Sequence, residues 1–246
     1  MNHNIVLEKA YVRYYGNLPN NENTFAAAHG FDMMGVQIVP FYDVTQIESF
    51  DDLGPRAIIC GNIADILVAL KKMGVPKPDE LDYPNHLDWF LGRNIKRMCI
   101  EDVRRGTQRI FVKPVTQKLF TGLVWEPENY LSRIVLAPYE YDTPVIVSDV
   151  VEFISEWRCF VKYDNLIAAK HYKGDWSKSP DISLINKAVH LGKGKMPAAY
   201  ALDVGVTSDG KTLLVEANEG YALGCYGLPS IVYASFLEAR WQQFVA

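Results

Sequence analysis

Across residues 1–90, short apolar runs of strand length take turns with stretches whose apolar positions recur at helical spacing. Ile5–Leu7 and Tyr11–Tyr14 predict short strands, and Asn23 predicts the cap of a helix from Thr24 to Met34 that stops at Gly35. Val36–Phe41 predicts a strand. Ala57–Cys60 predicts another, apolar throughout and therefore interior. Gly61-Asn62 leads into a helix over Ile63–Met73, with Ile66, Leu67 and Leu70 on one face and Gly74 as its end. This alternation predicts a small parallel α/β lobe. It holds no GxGxxG, so nothing in it indicates a dinucleotide.

The pattern changes after a proline-rich linker, Val75-Pro-Lys-Pro78 and Asp82-Tyr-Pro84. An amphipathic segment, Leu87–Ile100, precedes a series of strands: Arg109–Val115, Leu119–Trp125, Val145–Phe153, Trp157–Tyr163 and Leu166–Tyr172. A helix over Asp181–Leu191 interrupts the series, and a last helix, Ser230–Val245, follows it. The expected fold class is α+β, with a lobe at 1–90 and an antiparallel-rich domain at 91–246.

The sharpest local signal is Ala201–Gly220. Two Val-, Leu- and Thr-rich runs flank Ser208-Asp209-Gly210, which predicts a β-hairpin. Glu216 and Asn218 share one face of its second strand by period two. If Asp203 shares that face, three oxygen donors meet on one patch of sheet. All-oxygen ligation suits Mg²⁺, whose remaining ligands commonly come from substrate phosphates. The plainer alternative is a solvated hairpin face.

Cations upstream favour the first reading. Lys113 ends the apolar strand Arg109-Ile-Phe-Val-Lys-Pro114, where burial is costly unless it meets an anion, either a phosphate or a structural carboxylate. Lys118, in the connection to Gly122, is a phosphate ligand or a solvated turn residue. Glu156 and Arg158 share a strand face, and the planar fork of Arg158 suits a phosphate or pairs with Glu156 or Asp203. Val151 and Glu152 lie in Asp149–Phe153, a connection suited to lining an adenine pocket with backbone groups. Lys170 is a further phosphate contact or an edge-strand lysine.

Composition narrows the classes. A net charge of −4 disfavours nucleic acid as partner. Four scattered cysteines without a CxxC pair point to reduced thiols rather than zinc or disulfides. No apolar run reaches the ~20 residues of a membrane span, and the N-terminus lacks signal-peptide character, so a cytoplasmic protein is expected. Walker A, GxSxG and kinase signatures are missing.

Across Arg109–Tyr226 these residues resemble the ATP-grasp superfamily. Glu156-Trp-Arg-Cys-Phe-Val and the pattern from Asp203 through Asp209-Gly-Lys211 to Glu216 and Asn218 are similar to a divergent clade. That clade includes a eukaryotic translation-initiation-factor assembly protein and phage and bacterial relatives. The resemblance implies an ATP-grasp-like domain with antiparallel sheets, preceded by an α/β, Rossmann-like lobe. It implies ATP and Mg as cofactors, Lys113 as the nucleotide-phosphate lysine, and Asp203, Glu216 and Asn218 as Mg²⁺ ligands. The second phosphate arginine stays open among Arg133, Arg104 and Arg105. The implied activity is an ATP-dependent carboxylate–amine ligase working through an acylphosphate on a small-molecule, peptide or protein acceptor. The alternative is an ATP-binding assembly chaperone with little turnover.

Overall fold

The computed structural model describes residues 6–116 and 119–246 of the chain. Contacts divide it into two compact units: one runs up to Phe90 and resumes over Ile154–Ala246, and the other is Leu91–Phe153.

In the first unit, β1 (Lys9–Tyr15) lies between two parallel neighbours, β3 (Gln37–Phe41) and β4 (Ala57–Cys60). A two-residue strand, β2 (Leu18–Pro19), turns back antiparallel on the end of β1. β4 is buried along its whole length, as its unbroken apolar sequence predicts. Helix α1 (Glu22–Met33) begins earlier than expected because Asn21, not Asn23, is its cap. Asn21 Oδ1 accepts from the Asn23 and Thr24 amides at 3.0 Å, and Thr24 Oγ1 accepts from the Asn21 amide at 2.9 Å. Such a reciprocal box contributes about 1 kcal/mol. Asn23 instead accepts from the Cys225 amide at 2.8 Å, far along the chain. Helix α2 (Ile63–Lys72) starts where Asp65 Oδ2 accepts from the Asn62 amide at 2.8 Å, and Gly74 (φ +73°) follows its end.

The same unit contains a second sheet, in the order β10-β9-β11-β12. Its strands are β9 (Phe153–Lys162), β10 (Asn165–Gly174), β11 (Ala199–Thr207) and β12 (Thr212–Glu219). Helix α5 (Ile182–Gly192) is capped by Asp181, and α6 (Ser230–Val245) has the bounds its sequence predicts. Phe236 on α6 meets Phe160 on β9 edge-on, with ring centroids 5.3 Å apart. Trp241 Nε1 donates to the Gly54 carbonyl at 2.9 Å. α6 therefore joins both sheets in one core that includes Phe31, Phe41, Phe160, Ala201, Tyr233 and Phe236. Gly30 sets the distance between α1 and α6: a Cβ there would lie 2.0 Å from the Ser230 carbonyl oxygen. The outer edge of β12 is covered by the linker, since the Ala217 amide donates to the Asp82 carbonyl at 2.7 Å.

The second unit is an antiparallel sheet in the order β5-β8-β6-β7. It comprises β5 (Ile95–Cys99), β6 (Ile110–Pro114), β7 (Leu123–Trp125) and β8 (Pro144–Ser148). Two short helices accompany it, α3 (Ile100–Arg105) and α4 (Tyr130–Leu136). Ile100, Val103, Val112, Trp125, Leu136, Val145 and Val147 form its core. The expected amphipathic segment Leu87–Ile100 is no continuous element. A 3₁₀ turn over Asn85–Phe90 ends before Gly92 (φ +62°), and β5 begins at Ile95. The strand expected over Leu119–Trp125 is confined to its last three residues. Among the described residues no helix is long and apolar enough to cross a membrane.

Gly30→Ala is expected to lower the urea midpoint with little change in m-value, at a cost of about 1–3 kcal/mol from forced separation of α1 and α6. Gly106→Ala, whose Cβ would sit a tight but adjustable 3.3 Å from the Val103 carbonyl oxygen, is expected to cost less than Gly30→Ala.

Candidate functional site

The antiparallel register of β11 and β12 sets Asp203 opposite Glu216 and Ala201 opposite Asn218. Directly opposed residues share a face, so the three polar side chains converge as the period-two reading requires. Asn218 Nδ2 donates to Asp203 Oδ2 at 3.2 Å and to Glu216 Oε1 at 3.3 Å. β9 lies beside β11, and Arg158 reaches across to Asp203 as a two-pronged pair: Nε to Oδ1 at 2.7 Å and Nη2 to Oδ2 at 2.6 Å. Both side chains are more than nine-tenths buried. Of the partners the sequence left open for Arg158, Asp203 is therefore the one it takes. On the far side of β9, Lys170 of β10 stands opposite Arg158. A row of two cations and two carboxylates thus crosses all four strands.

Glu156, two residues before Arg158, is buried and accepts from the Tyr172 hydroxyl at 2.8 Å and from Lys173 Nζ at 2.5 Å. Burial pushes the Asp203 carboxyl above the usual carboxylate range; Arg158 pulls it back, while the charges of Glu216 and Glu156 add to the rise. Burial, reinforced by the charges of Asp203 and Glu156, likewise drives the Tyr172 phenol far above its ordinary value.

The donor chemistry fits a hard divalent cation. Asp203, Glu216 and Asn218 offer only oxygen ligands. An ionised carboxylate has about four acceptor positions, and Asp203 uses three of them. Asn218 now turns its Nδ2 toward the two acids, and a half-turn of the amide presents Oδ1 in its place. Among the described residues, no group of three or more His, Cys, Asp and Glu side chains is placed to hold a metal ion. The hairpin set consists of two acids and an amide.

In the second unit, Lys113 sits half-buried on β6 opposite Ile146 of β8, and Arg97 of β5 stands opposite the same Ile146. Arg97 and Lys113 therefore flank one apolar residue on a single face of this sheet. Sequence reasoning missed Arg97 because Ile95–Cys99 was absorbed into a helical-looking segment. No period-two alternation marks Ile95-Lys-Arg-Met-Cys99 as a strand, so nothing local singled Arg97 out. Two of the arginines considered instead have other roles. Arg104 donates to the Leu136 and Tyr139 carbonyls and lies over Tyr141, and Arg105 pairs with Glu101. Arg133 lies on α4. Val151 is half-buried and Glu152 exposed in the segment after β8, where Glu152 is 3.8 Å from Arg109. Lys118 lies outside the described residues.

The Arg158–Asp203 pair makes a direct prediction. Arg158→Met or Asp203→Leu alone leaves the other charge buried and is expected to cost about 3–5 kcal/mol. The double substitution is expected to recover most of that loss, giving a favourable coupling in a urea double-mutant cycle. Additive single losses would show that the two side chains do not depend on each other.

Comparison with known proteins places this geometry in a family. A family profile described as an ATP-grasp domain, the second family of its clade, matches residues 90–236, more than half of the chain. Curated proteins give no significant match. Among solved structures, the chain is similar to D-alanine–D-alanine ligase from Bacillus anthracis complexed with ATP (12% identity, TM-score 0.59, covering 98% of this chain and 95% of that one). It is also similar to the D-cycloserine synthetase DcsG (14% identity, TM-score 0.59, 96% and 99% covered). A third is the macrocyclase MdnC bound with precursor peptide MdnA from Microcystis aeruginosa MRC (13% identity, TM-score 0.53, 97% and 99% covered). At these identities the structural likeness speaks for the fold, and it agrees with the profile match: the chain belongs to the ATP-grasp domain family that the profile describes.

Proposed function

We propose that this chain is an ATP-dependent carboxylate–amine ligase that works through an acylphosphate, with a peptide or protein as acceptor. The observation that carries the reading is the convergence of Asp203, Glu216 and Asn218 beside the buried guanidinium of Arg158. The peptide acceptor is supported by the likeness to a macrocyclase whose structure contains its precursor peptide. ATP as nucleotide is supported by family membership and by the ligase solved with ATP.

In this reading Asp203, Glu216 and Asn218 hold Mg²⁺. The ion, when bound, draws negative charge from the nucleotide's phosphate oxygens. Lys113 is the phosphate lysine, with Arg97 beside it as the second cation that the sequence left unplaced and Lys118 as a further contact. Val151 and Glu152 offer backbone groups to adenine. Lys170 and Arg158 add positive charge on the first unit's sheet, and Glu156 fixes the ends of Tyr172 and Lys173 around them. The acceptor's carboxylate oxygen attacks the γ-phosphorus and ADP leaves. The amine then attacks the acyl carbon, phosphate departs and the amine gives up its proton. Arg158, held in place by Asp203, stabilises the oxyanion that develops at the acyl group with the side of its guanidinium that the carboxylate leaves over.

Melting curves with ATP, with and without Mg²⁺, test the nucleotide step, with GTP as control. A ligand that binds only the folded state raises the melting temperature, and ATP at a hundred times its Kd contributes about 2.7 kcal/mol. A rise that needs Mg²⁺ is expected. Glu216→Gln, which spares the Arg158–Asp203 pair, is expected to weaken Mg·ATP binding by about tenfold or more, the loss of one charged ligand. Phosphate release stimulated by amine and carboxylate compounds then marks the ligase. Mg·ATP binding without any such release would instead identify an assembly factor with little turnover.

A further inference from the structure

The segment from Gly220 to Pro229 connects β12 to α6 and is pinned along its length. Leu223, Cys225 and Leu228 are buried. The Cys225 amide donates to Asn23 Oδ1 at 2.8 Å, and the Tyr233 hydroxyl donates to the Leu223 carbonyl at 2.5 Å. Between two of these anchors the backbone holds Tyr226 at φ +46°, in the left-handed region that a tyrosine seldom adopts, and Gly227 follows at +71°. Ala222, at φ +47°, is held in the same region. A loop so tightly determined fixes the direction of the one large side chain it leaves outward.

That side chain lies on Arg158. Tyr226 is 40% exposed, and its ring centroid is 4.4 Å from the guanidinium carbon. Tyr172 backs the ring at 5.4 Å between centroids and is itself held by its hydrogen bond to Glu156. Gly224 leaves space for the arrangement, since a Cβ there would come within 2.8 Å of the Tyr226 ring. Asp203 therefore takes one edge of the guanidinium through Nε and Nη2, while the guanidinium carbon lies over the Tyr226 ring. Nη1 donates no hydrogen bond among the described residues, and it lies toward Gly224, 3.8 Å from where a Cβ on that residue would sit.

We propose that Tyr226 is a positioning residue that locks the plane of the Arg158 guanidinium and so presents Nη1 to an oxyanion of the substrate. This deepens the ligase reading and rests on it for the identity of that oxyanion, an acceptor carboxylate or the phosphoryl group it receives. Guanidinium–oxyanion recognition is planar and directional, so holding the plane fixes where the oxyanion sits. The stacked ring also shields the cation from water on one side, which strengthens what the other side binds.

The test follows the arginine side-chain signals in protein labelled with ¹⁵N-arginine, with Arg158 assigned by their loss in Arg158→Lys. Wild type, Tyr226→Phe and Tyr226→Leu are titrated separately with inorganic phosphate and with acetate. In wild type and Tyr226→Phe the Arg158 signals are expected to be shifted by the ring and to move to saturation with one of the anions. The tighter probe identifies the phosphoryl or the carboxylate source. In Tyr226→Leu the ring shift is expected to vanish and the affinity to fall about fivefold or more, the scale of a partly desolvated cation–π contact. Should Tyr226→Leu not fold, Gly224→Ala displaces the ring by the contact given above and takes its place. Equal anion affinity with and without the ring, or Arg158 signals unmoved by both anions, would overturn the proposal. Melting curves with Mg·ATP on the same samples separate the two ideas. An anion response without any Mg·ATP effect defeats the nucleotide reading and leaves the role of Tyr226 standing, and the reverse pattern defeats the role of Tyr226 alone.

Discussion

A guanidinium and a carboxylate taken out of water together, Arg158 and Asp203, set the terms for the rest of the four-stranded sheet. Removing two such charges from water costs several kcal/mol each, and only close, directed contacts offset the loss. The chain supplies them by running β9 beside β11, so that two short hydrogen bonds join the pair along the guanidinium edge. The remaining neighbours follow from this. Asn218 donates to the oxygen that Arg158 Nη2 also serves, the Tyr226 ring lies under the guanidinium carbon, and Glu156 is tied to Tyr172 and Lys173 rather than to the arginine. Burial and the charges of Glu216 and Glu156 hold the Asp203 carboxyl above the usual carboxylate range against the pull of Arg158.

One sheet face serves two purposes. Phe160 lies two residues from Arg158, and Ala201 two residues from Asp203, so each pair shares a face by strand alternation. Phe160 and Ala201 belong to the core that α6 completes, with Phe236 against Phe160. The same face is thus apolar along one stretch and ionic along the next, and the apolar stretch holds the ionic one still. Gly30 and Trp241 tie α6 to the parallel sheet in turn. Rigidity of this kind is what a site acting by position and fixed charge requires.

Much of this was legible in the residues, for physical reasons. Ala57–Cys60 and Ser230–Val245 were read with the bounds they have because an unbroken apolar run and a 16-residue stretch free of Gly and Pro each have few alternatives. The hairpin around Gly210 (φ +81°) was legible because its turn needs that conformation, and strand periodicity then fixed the shared face of Glu216 and Asn218. The cap of α1 was misplaced by two residues because Asn20-Asn-Glu-Asn23 offers several candidates, and only the loop that brings Cys225 to Asn23 decides among them. α3 and α4, at six and seven residues, are too short to display a helical period. Arg97 was hidden by the same ambiguity, since Leu87–Ile100 fits a helical period until Gly92 breaks it. The stack of Tyr226 on Arg158 joins residues far apart in the chain, and no local pattern announces it.

If the hairpin binds a divalent cation together with a nucleotide, the side-chain amide of Asn218 lies within reach of that ion and reports on it. Protein labelled with ¹⁵N would be titrated with ATP and small amounts of Mn²⁺, whose unpaired electrons erase nearby signals. The Asn218 side-chain resonances are expected to disappear first, along with the backbone amides around Asp203 and Glu216, and only when ATP is present. Broadening centred on other acidic residues, or an Asn218 signal that persists while Mn·ATP binds, would contradict it.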